Sequence, residues 1–277
     1  MTIASDTGTT AFAAAWTAWH DAHETARADA HGFLAVTSLR WLTAEPERFD
    51  DVPGAWWTGE DGPVVQLDAG EELVVDGAVV TGRFAFGPIP EREQRLASFG
   101  DAVVEVARRG GSDIVRPRHP GNPLLTAYTG TPTYAPEERW AIAGRFVPFA
   151  EPREVTVGSA AEGLQHVYAA PGEVVFEHGG AEHRLVAFNG RTPGSLLVLF
   201  TDETSGVTTY AANRSLAVAA PAADGSVVLD FTRAVNLPCA YTDFATCPLP
   251  PAGNRLPFAV TAGERIPVER GGERGVA

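Results

Sequence analysis

The chain contains no lysine. All 21 basic residues among its 277 are arginine, which removes Schiff-base chemistry and the lysine of a phosphate-binding P-loop. Cysteine is scarce as well. Cys239 and Cys247 stand alone, seven residues apart, so neither a disulfide framework nor the short Cys-x-x-Cys spacing of a structural zinc site is present. Positive charge is low overall: 35 acidic residues give a net charge of −14 and a pI near 4.9, which argues against nucleic acid or an anionic membrane as partner. No apolar run approaches the roughly 18 residues of a membrane-spanning helix. The start, MTIASDTGTTAFAAAW, lacks the basic and apolar regions of a secretory signal. The expectation is a soluble, cytoplasmic protein with reduced cysteines. Also missing are G-x-S-x-G, G-x-G-x-x-G, the P-loop and H-E-x-x-H, and with them the common hydrolase, dinucleotide, nucleotide and zinc-protease templates.

One helix is expected, over residues 10–29, opening after Thr9 and Thr10 and ending before His31-Gly32. Phe12, Trp16, Trp19 and His23 fall at helical spacing and form one packing stripe. From Phe33 the period shortens. GFLAVTSLRWL alternates and favours a strand, with a helical reading left open, and many short apolar runs follow, separated by turn residues. Asp76-Gly77, Gly179-Gly180 and Asp224-Gly225 mark three hairpins. The fold class expected is mainly β: an N-terminal α-helix (1–32), a small β subdomain (33–115), and a larger antiparallel β sandwich or barrel (116–277). Residues 116–136 are irregular and rich in Pro, Gly and Thr, as in a long loop or a domain connection.

The densest concentration of chemistry is residues 229–265, LDFTRAVNLPCAYTDFATCPLPPAGNRLPFAVTAGER. Polar side chains alternate there with Pro238, Pro248, Pro250 and Pro251, as in a loop held rigid to present groups. This stretch, with the preceding TDETSGVTTYAANRSL, closely resembles the bacterial and archaeal family called domain of unknown function 1684. The likeness runs more weakly upstream through YTGTPTYAPEERWAIAGRFVPF and GFLAVTSLRWL. The resemblance locates a site without naming a chemistry. The shared polar positions are Tyr210, Arg214, Asp230, Arg233, Asn236, Cys239, Cys247, Asn254, Arg255 and Glu264. Leu124-Leu125 replaces an arginine usual in the family, and DDVPGAWW replaces an early Gly/Ser/Asp turn, which puts substrate identity in question.

On these residues the expected function is a small-molecule enzyme acting on a metabolite that bears a carboxylate or similar anion. Arg214, Arg233 and Arg255 are candidate anion ligands, since guanidinium groups grip carboxylates with paired hydrogen bonds; Asn236 and Tyr241 complete the substrate-binding set. Tyr210 is the expected proton donor or acceptor, Cys239 a candidate nucleophile activated by a nearby arginine, and Asp230 the group that orients Arg233. Two other readings stay open: a non-catalytic binder of a small molecule or flavin, and a purely structural loop in which Asp230, Asp243 and Glu264 neutralise the arginines. No metal site and no cofactor is expected, although a flavin or a divalent metal is not excluded; homo-oligomerisation is left open. His178 and His183 flank the Gly179-Gly180 turn and are read as solvent-exposed, His20 and His23 as core-boundary residues, and His119 as a loop histidine.

Overall fold

Two of the marked hairpins form at the dipeptides that signal them. Asp76 and Gly77 take left-handed conformations (φ 51° and 80°) between strands Leu73–Val75 and Ala78–Val80. Gly179 and Gly180 (φ 61° and 79°) do the same between Gln165–His178 and Ala181–Asn189. This pair of positive φ values makes a type I′ turn, whose twist matches that of the strands. The structure, a computed structural model, describes residues 5–268. It is mainly β, with an N-terminal helix and three antiparallel sheets among the described residues.

The chain divides into two compact units. One comprises Thr25–Thr129 with the short return Thr242–Thr246. Here a six-stranded sheet, from Arg40–Trp41 to Ala78–Val80, and a four-stranded sheet built on Val52–Gly59 and Gly62–Gln66 share one core. That core holds Trp56, Val65, Leu73, Phe86, Val104 and Val115. Within it Glu105 is fully buried and is met by three arginines, Arg109 at 3.0 Å, Arg116 at 2.5 Å, and Arg118. Burial alone would raise the Glu105 pKa. The charges and hydrogen bonds of Arg116 and Arg118 outweigh it and hold the carboxyl below its ordinary 4.5.

The other unit comprises the chain up to Glu24, Gly130–Tyr241 and the chain from Cys247. Its seven-stranded sheet runs Ser226–Asp230, Ala141–Gly158, Gln165–His178, Ala181–Asn189, Leu196–Phe200, Arg214–Val218 and Val235–Asn236. Val227 and Leu229 from one end of that order, and Leu216 and Val218 from the other, share a single cluster with Val174, Phe176, Leu185 and Phe200. The sheet therefore curls round one core, as a sandwich or barrel must. The helix, Ser5–Arg27, is fastened to this unit by Trp16, whose indole N–H donates to the carbonyl of Thr232 at 2.8 Å.

Four local expectations change. The helix begins at Ser5, before the anticipated Thr9/Thr10 start, and ends at Arg27. Residues 33–42 do not form a long strand: Phe33–Ala35 is a 3-10 turn, Val36 makes a single bridge to Arg118, and Arg40–Trp41 is the one strand, because Leu34, Ala35 and Val36 are buried consecutively rather than alternately. The turn at Asp224-Gly225 exists (Gly225 φ 84°), but the strand it feeds pairs with Ala141–Arg145 and not with the strand before it. The boundary expected at 115/116 lies at 129/130. Ser112–Arg118 stays in its sheet, and Asn122 then donates to the carbonyls of Leu34 (3.0 Å) and Val36 (2.7 Å), so the irregular segment remains part of its own unit.

Candidate functional site

The family-like motif gathers around one carboxylate, that of Glu264. Gly263 delivers it. Its φ of +75° lies in the left-handed region, and a Cβ at that position would stand 2.5 Å from the carbonyl oxygen of Ala234. Only glycine lets the chain pass so close to the turn at Phe231–Arg233. Glu264 N–H then donates to Ala234 O at 2.9 Å, and the side chain is 2% exposed.

The carboxylate is held by groups from separate parts of the chain. Oε2 accepts the backbone N–H of Asn236 at 2.6 Å and the hydroxyl of Tyr241 at 3.4 Å. That hydroxyl is also 2.7 Å from Thr131 Oγ1. Oε1 faces His23 Nε2 at 3.5 Å. The His23 ring is stacked on Trp19, centroids 5.3 Å apart and planes 15° from parallel. Arg233 lies over the Trp19 ring at 5.3 Å and is gripped by Asp230, three residues earlier, at 3.1 Å. Next to His23 on the helix, Glu24 accepts the N–H of Thr131 at 3.2 Å.

Three of the expected binding residues are thus joined to this centre. Tyr241 and Asn236 touch Glu264 directly, and Arg233 reaches it through Trp19 and His23. Asp230 Oδ2 lies 3.1 Å from Arg233 Nε.

Arg214 behaves differently from the expectation. Its side chain is 1% exposed, and Nη2 donates to Asp202 Oδ2 at 2.8 Å and to Val260 O at 3.1 Å. Nη1 donates to the carbonyls of Ala262 and Glu264. Burial lowers its pKa, against the opposing charges of Asp202, Tyr134 and Glu264. Both terminal nitrogens are committed to the protein itself, so Arg214 braces the segment that carries Glu264 and presents no edge to a ligand. Cys239 is also a correction as a nucleophile: it is 4% exposed, and its N–H donates to Cys247 Sγ at 3.3 Å. Tyr210 is half-buried and Arg255 is exposed. Asn254, another motif residue, is 1% exposed and bridges two strands, bonding Val186 N, Val186 O and Leu199 O at 2.8–2.9 Å.

Sequence reasoning did not place His23, Glu24 or Thr131 here. The available signal was the adjacent His23-Glu24 pair beside the aromatic stripe. His178 and His183 are not solvent-exposed as read: both rings pack on Phe258, at 4.3 and 4.9 Å. His119 is exposed, its Nδ1 accepting the N–H of Gly121 at 2.9 Å, and is a loop histidine. A cleft of about 680 Å³ belongs to the other unit and is lined by Arg48, Phe49, Asp51 and Glu71 among others. None of its lining residues belongs to the motif. No described helix is long and apolar enough to cross a membrane.

No curated protein matches the chain. A similar solved structure is the solution NMR structure of an uncharacterized protein from Haloarcula marismortui. It is 28% identical over 50% of this chain and 78% of that one, with a TM-score of 0.43. Residues 126–265, the segment that carries Thr131, Arg214, Tyr241 and Glu264, match the family described as Protein of unknown function (DUF1684), and the chain belongs to that family.

Proposed function

We propose that this protein is a small-molecule enzyme that uses Glu264, His23 and Tyr241 as acid–base groups on a metabolite bearing a carboxylate or similar anion. The observation that carries the reading is the convergence on Glu264: a carboxylate 2% exposed, with an imidazole nitrogen at 3.5 Å and a phenol hydroxyl at 3.4 Å. Groups that exchange protons must lie within hydrogen-bond reach of one another, or tighten to it with substrate bound. Residues from the helix, from the segment at Thr131 and from the motif do so here.

Arg233 is the candidate for the substrate anion. Its side chain is 38% exposed, yet it is oriented by Asp230 and by stacking on Trp19, which preserves a bidentate edge at low cost in side-chain freedom. Arg214, Asp202 and Asn254 take the bracing role, and the catalytic function moves from Tyr210 to Tyr241. The chain's charge of −14 supports a small-molecule partner over nucleic acid.

The test is a thermal-shift panel of mono- and dicarboxylates and phosphorylated metabolites on the full chain. A compound at about 100 times its Kd adds roughly 2.7 kcal/mol of stability. The expected hit loses its shift in Arg233→Ala and keeps it in Tyr241→Phe, while Tyr241→Phe abolishes turnover of that compound. Turnover unaffected by Tyr241→Phe would remove the acid–base role, and a hit indifferent to both Arg233→Ala and His23→Ala would remove the site.

A further inference from the structure

We infer that His23, Glu24 and Glu264 form a binding site for one divalent transition-metal ion, a deepening that rests on reading this centre as the functional site and that makes His23 and Glu264 ligands, leaving Tyr241 as its acid–base group. Each residue offers one ligand atom, and the three atoms lie within 4.8 Å of one another. His23 Nε2 and Glu264 Oε1 are 3.5 Å apart. Two ligands held about 2.0–2.1 Å from a tetrahedral ion stand roughly 3.4 Å from each other, so this pair already has the spacing an ion would bridge. The ligand atom of Glu24 lies within 4.8 Å of both.

The surroundings orient these donors in the way second-layer groups orient metal ligands. Asn236 N–H and Tyr241 OH both bind Oε2 of Glu264, which turns Oε1 toward His23. Stacking on Trp19 fixes the imidazole plane. The N–H of Thr131 anchors Glu24 through Oε2.

A separate observation concerns Asn236, which is 5% exposed: its Nδ2 is spent on the carbonyl of Arg265 at 2.8 Å, while its Oδ1 is buried without a hydrogen-bond partner. A water on the ion is a donor that such an acceptor lacks.

One imidazole and two carboxylates favour Zn²⁺ or Mn²⁺ over Mg²⁺ or Ca²⁺, which prefer all-oxygen sets. Three protein ligands leave a coordination position open, as catalytic metal sites do.

Calorimetric titration of the untagged full chain, stripped with a chelator and dialysed, with ZnCl₂ and separately with MnCl₂, tests this. The expected result is one equivalent of ion per chain, with affinity reduced at least tenfold in His23→Ala and in Glu24→Gln. Tyr241→Phe reduces it by about tenfold through the lost outer hydrogen bond. His23 is partly exposed, so His23→Ala remains informative if a Glu264 variant fails to fold. Wild-type protein that binds neither ion at millimolar concentration, or a His23→Ala variant with unchanged affinity, overturns the inference. The two proposals fail separately. An organic-anion thermal shift that survives the chelator and disappears in Arg233→Ala keeps the enzyme reading without the metal. Stoichiometric ion binding with no organic hit keeps the metal alone.

Discussion

Replacing Arg214 by alanine separates a brace from a ligand-binding residue. The guanidinium is 1% exposed and is matched to Asp202, itself fully buried, at 2.8 Å. Asp202 Oδ1 is in turn occupied by Thr204 N–H at 2.7 Å, the Thr204 hydroxyl at 2.6 Å and Val260 N–H at 3.2 Å. Removing the arginine leaves Oδ2 of a buried carboxylate without its cation and strips the donors from the carbonyls of Val260, Ala262 and Glu264. Breaking one side of a buried pair costs about 3–5 kcal/mol. For a unit of this size each kcal/mol lowers Tm by about 2–4 °C, so Arg214→Ala should melt roughly 6–20 °C below wild type. Calorimetric melting is the assay, because it can separate a weakened unit from an unaffected one. Arg233→Ala is the control. Its 38% exposed ion pair with Asp230 falls in the class worth about 0–1 kcal/mol, so its Tm should move by only a few degrees. An Arg214→Ala protein that melts within 2–3 °C of wild type but loses a small-molecule thermal shift would refute the bracing assignment and return Arg214 to the ligand.

Three other outcomes are expected. Because the folded pKa of Glu105 lies below its ordinary 4.5, its contribution is complete above that value and is lost as pH falls through the folded pKa; Glu105→Gln should flatten the acid limb of stability against pH in urea titrations, and by leaving three arginines around a neutral group cost about 3–5 kcal/mol at neutral pH. Gly263→Ala places a Cβ 2.5 Å from Ala234 O at φ +75°, so a loss of roughly 2 kcal/mol or more should appear in thermal melts, with metal affinity falling as Glu264 shifts. Asn254→Ala leaves three backbone groups of two strands without their side-chain partner and should lower the urea midpoint by an amount equivalent to about 2–4 kcal/mol.

The parts of this fold that could be read from sequence are those whose causes are local. Asp76-Gly77 and Gly179-Gly180 form hairpins because the positive φ they need is a property of those residues. The Trp16/Trp19/His23 stripe depends only on helical geometry. At Asp224-Gly225 the turn is local and formed, but the choice of strand partner is not. Val227 and Leu229 pack in the same core as Leu216 and Val218, and that shared burial is satisfied with Ser226–Asp230 paired to Ala141–Arg145 at the far end of the sheet order. Residues 33–42 mislead for a related reason: alternation signals a strand only when one face is buried, and there three consecutive residues are.

The same division explains the site. Asn236, Tyr241 and Glu264 sit in one motif, so their nearness could be guessed from spacing. Whether an arginine in that motif serves a ligand or the fold depends on what faces it. Arg214 is faced by Asp202, in the preceding DETSG segment, and by three carbonyls of the chain that leads to Glu264. Arg233 is faced by Asp230 and an aromatic ring, with solvent on its remaining edge. One residue type in one motif therefore takes two roles, and burial decides between them. His23 and Glu24 carry no local mark of function. They reach the carboxylate because the indole of Trp16, about two turns earlier on the same helix, is bonded to the carbonyl of Thr232 inside the motif. That bond fixes the helix's rotation and height, so the groups placed two turns beyond Trp16 arrive at Glu264. A change that loosens Trp16 should therefore weaken the site without touching any residue that lines it.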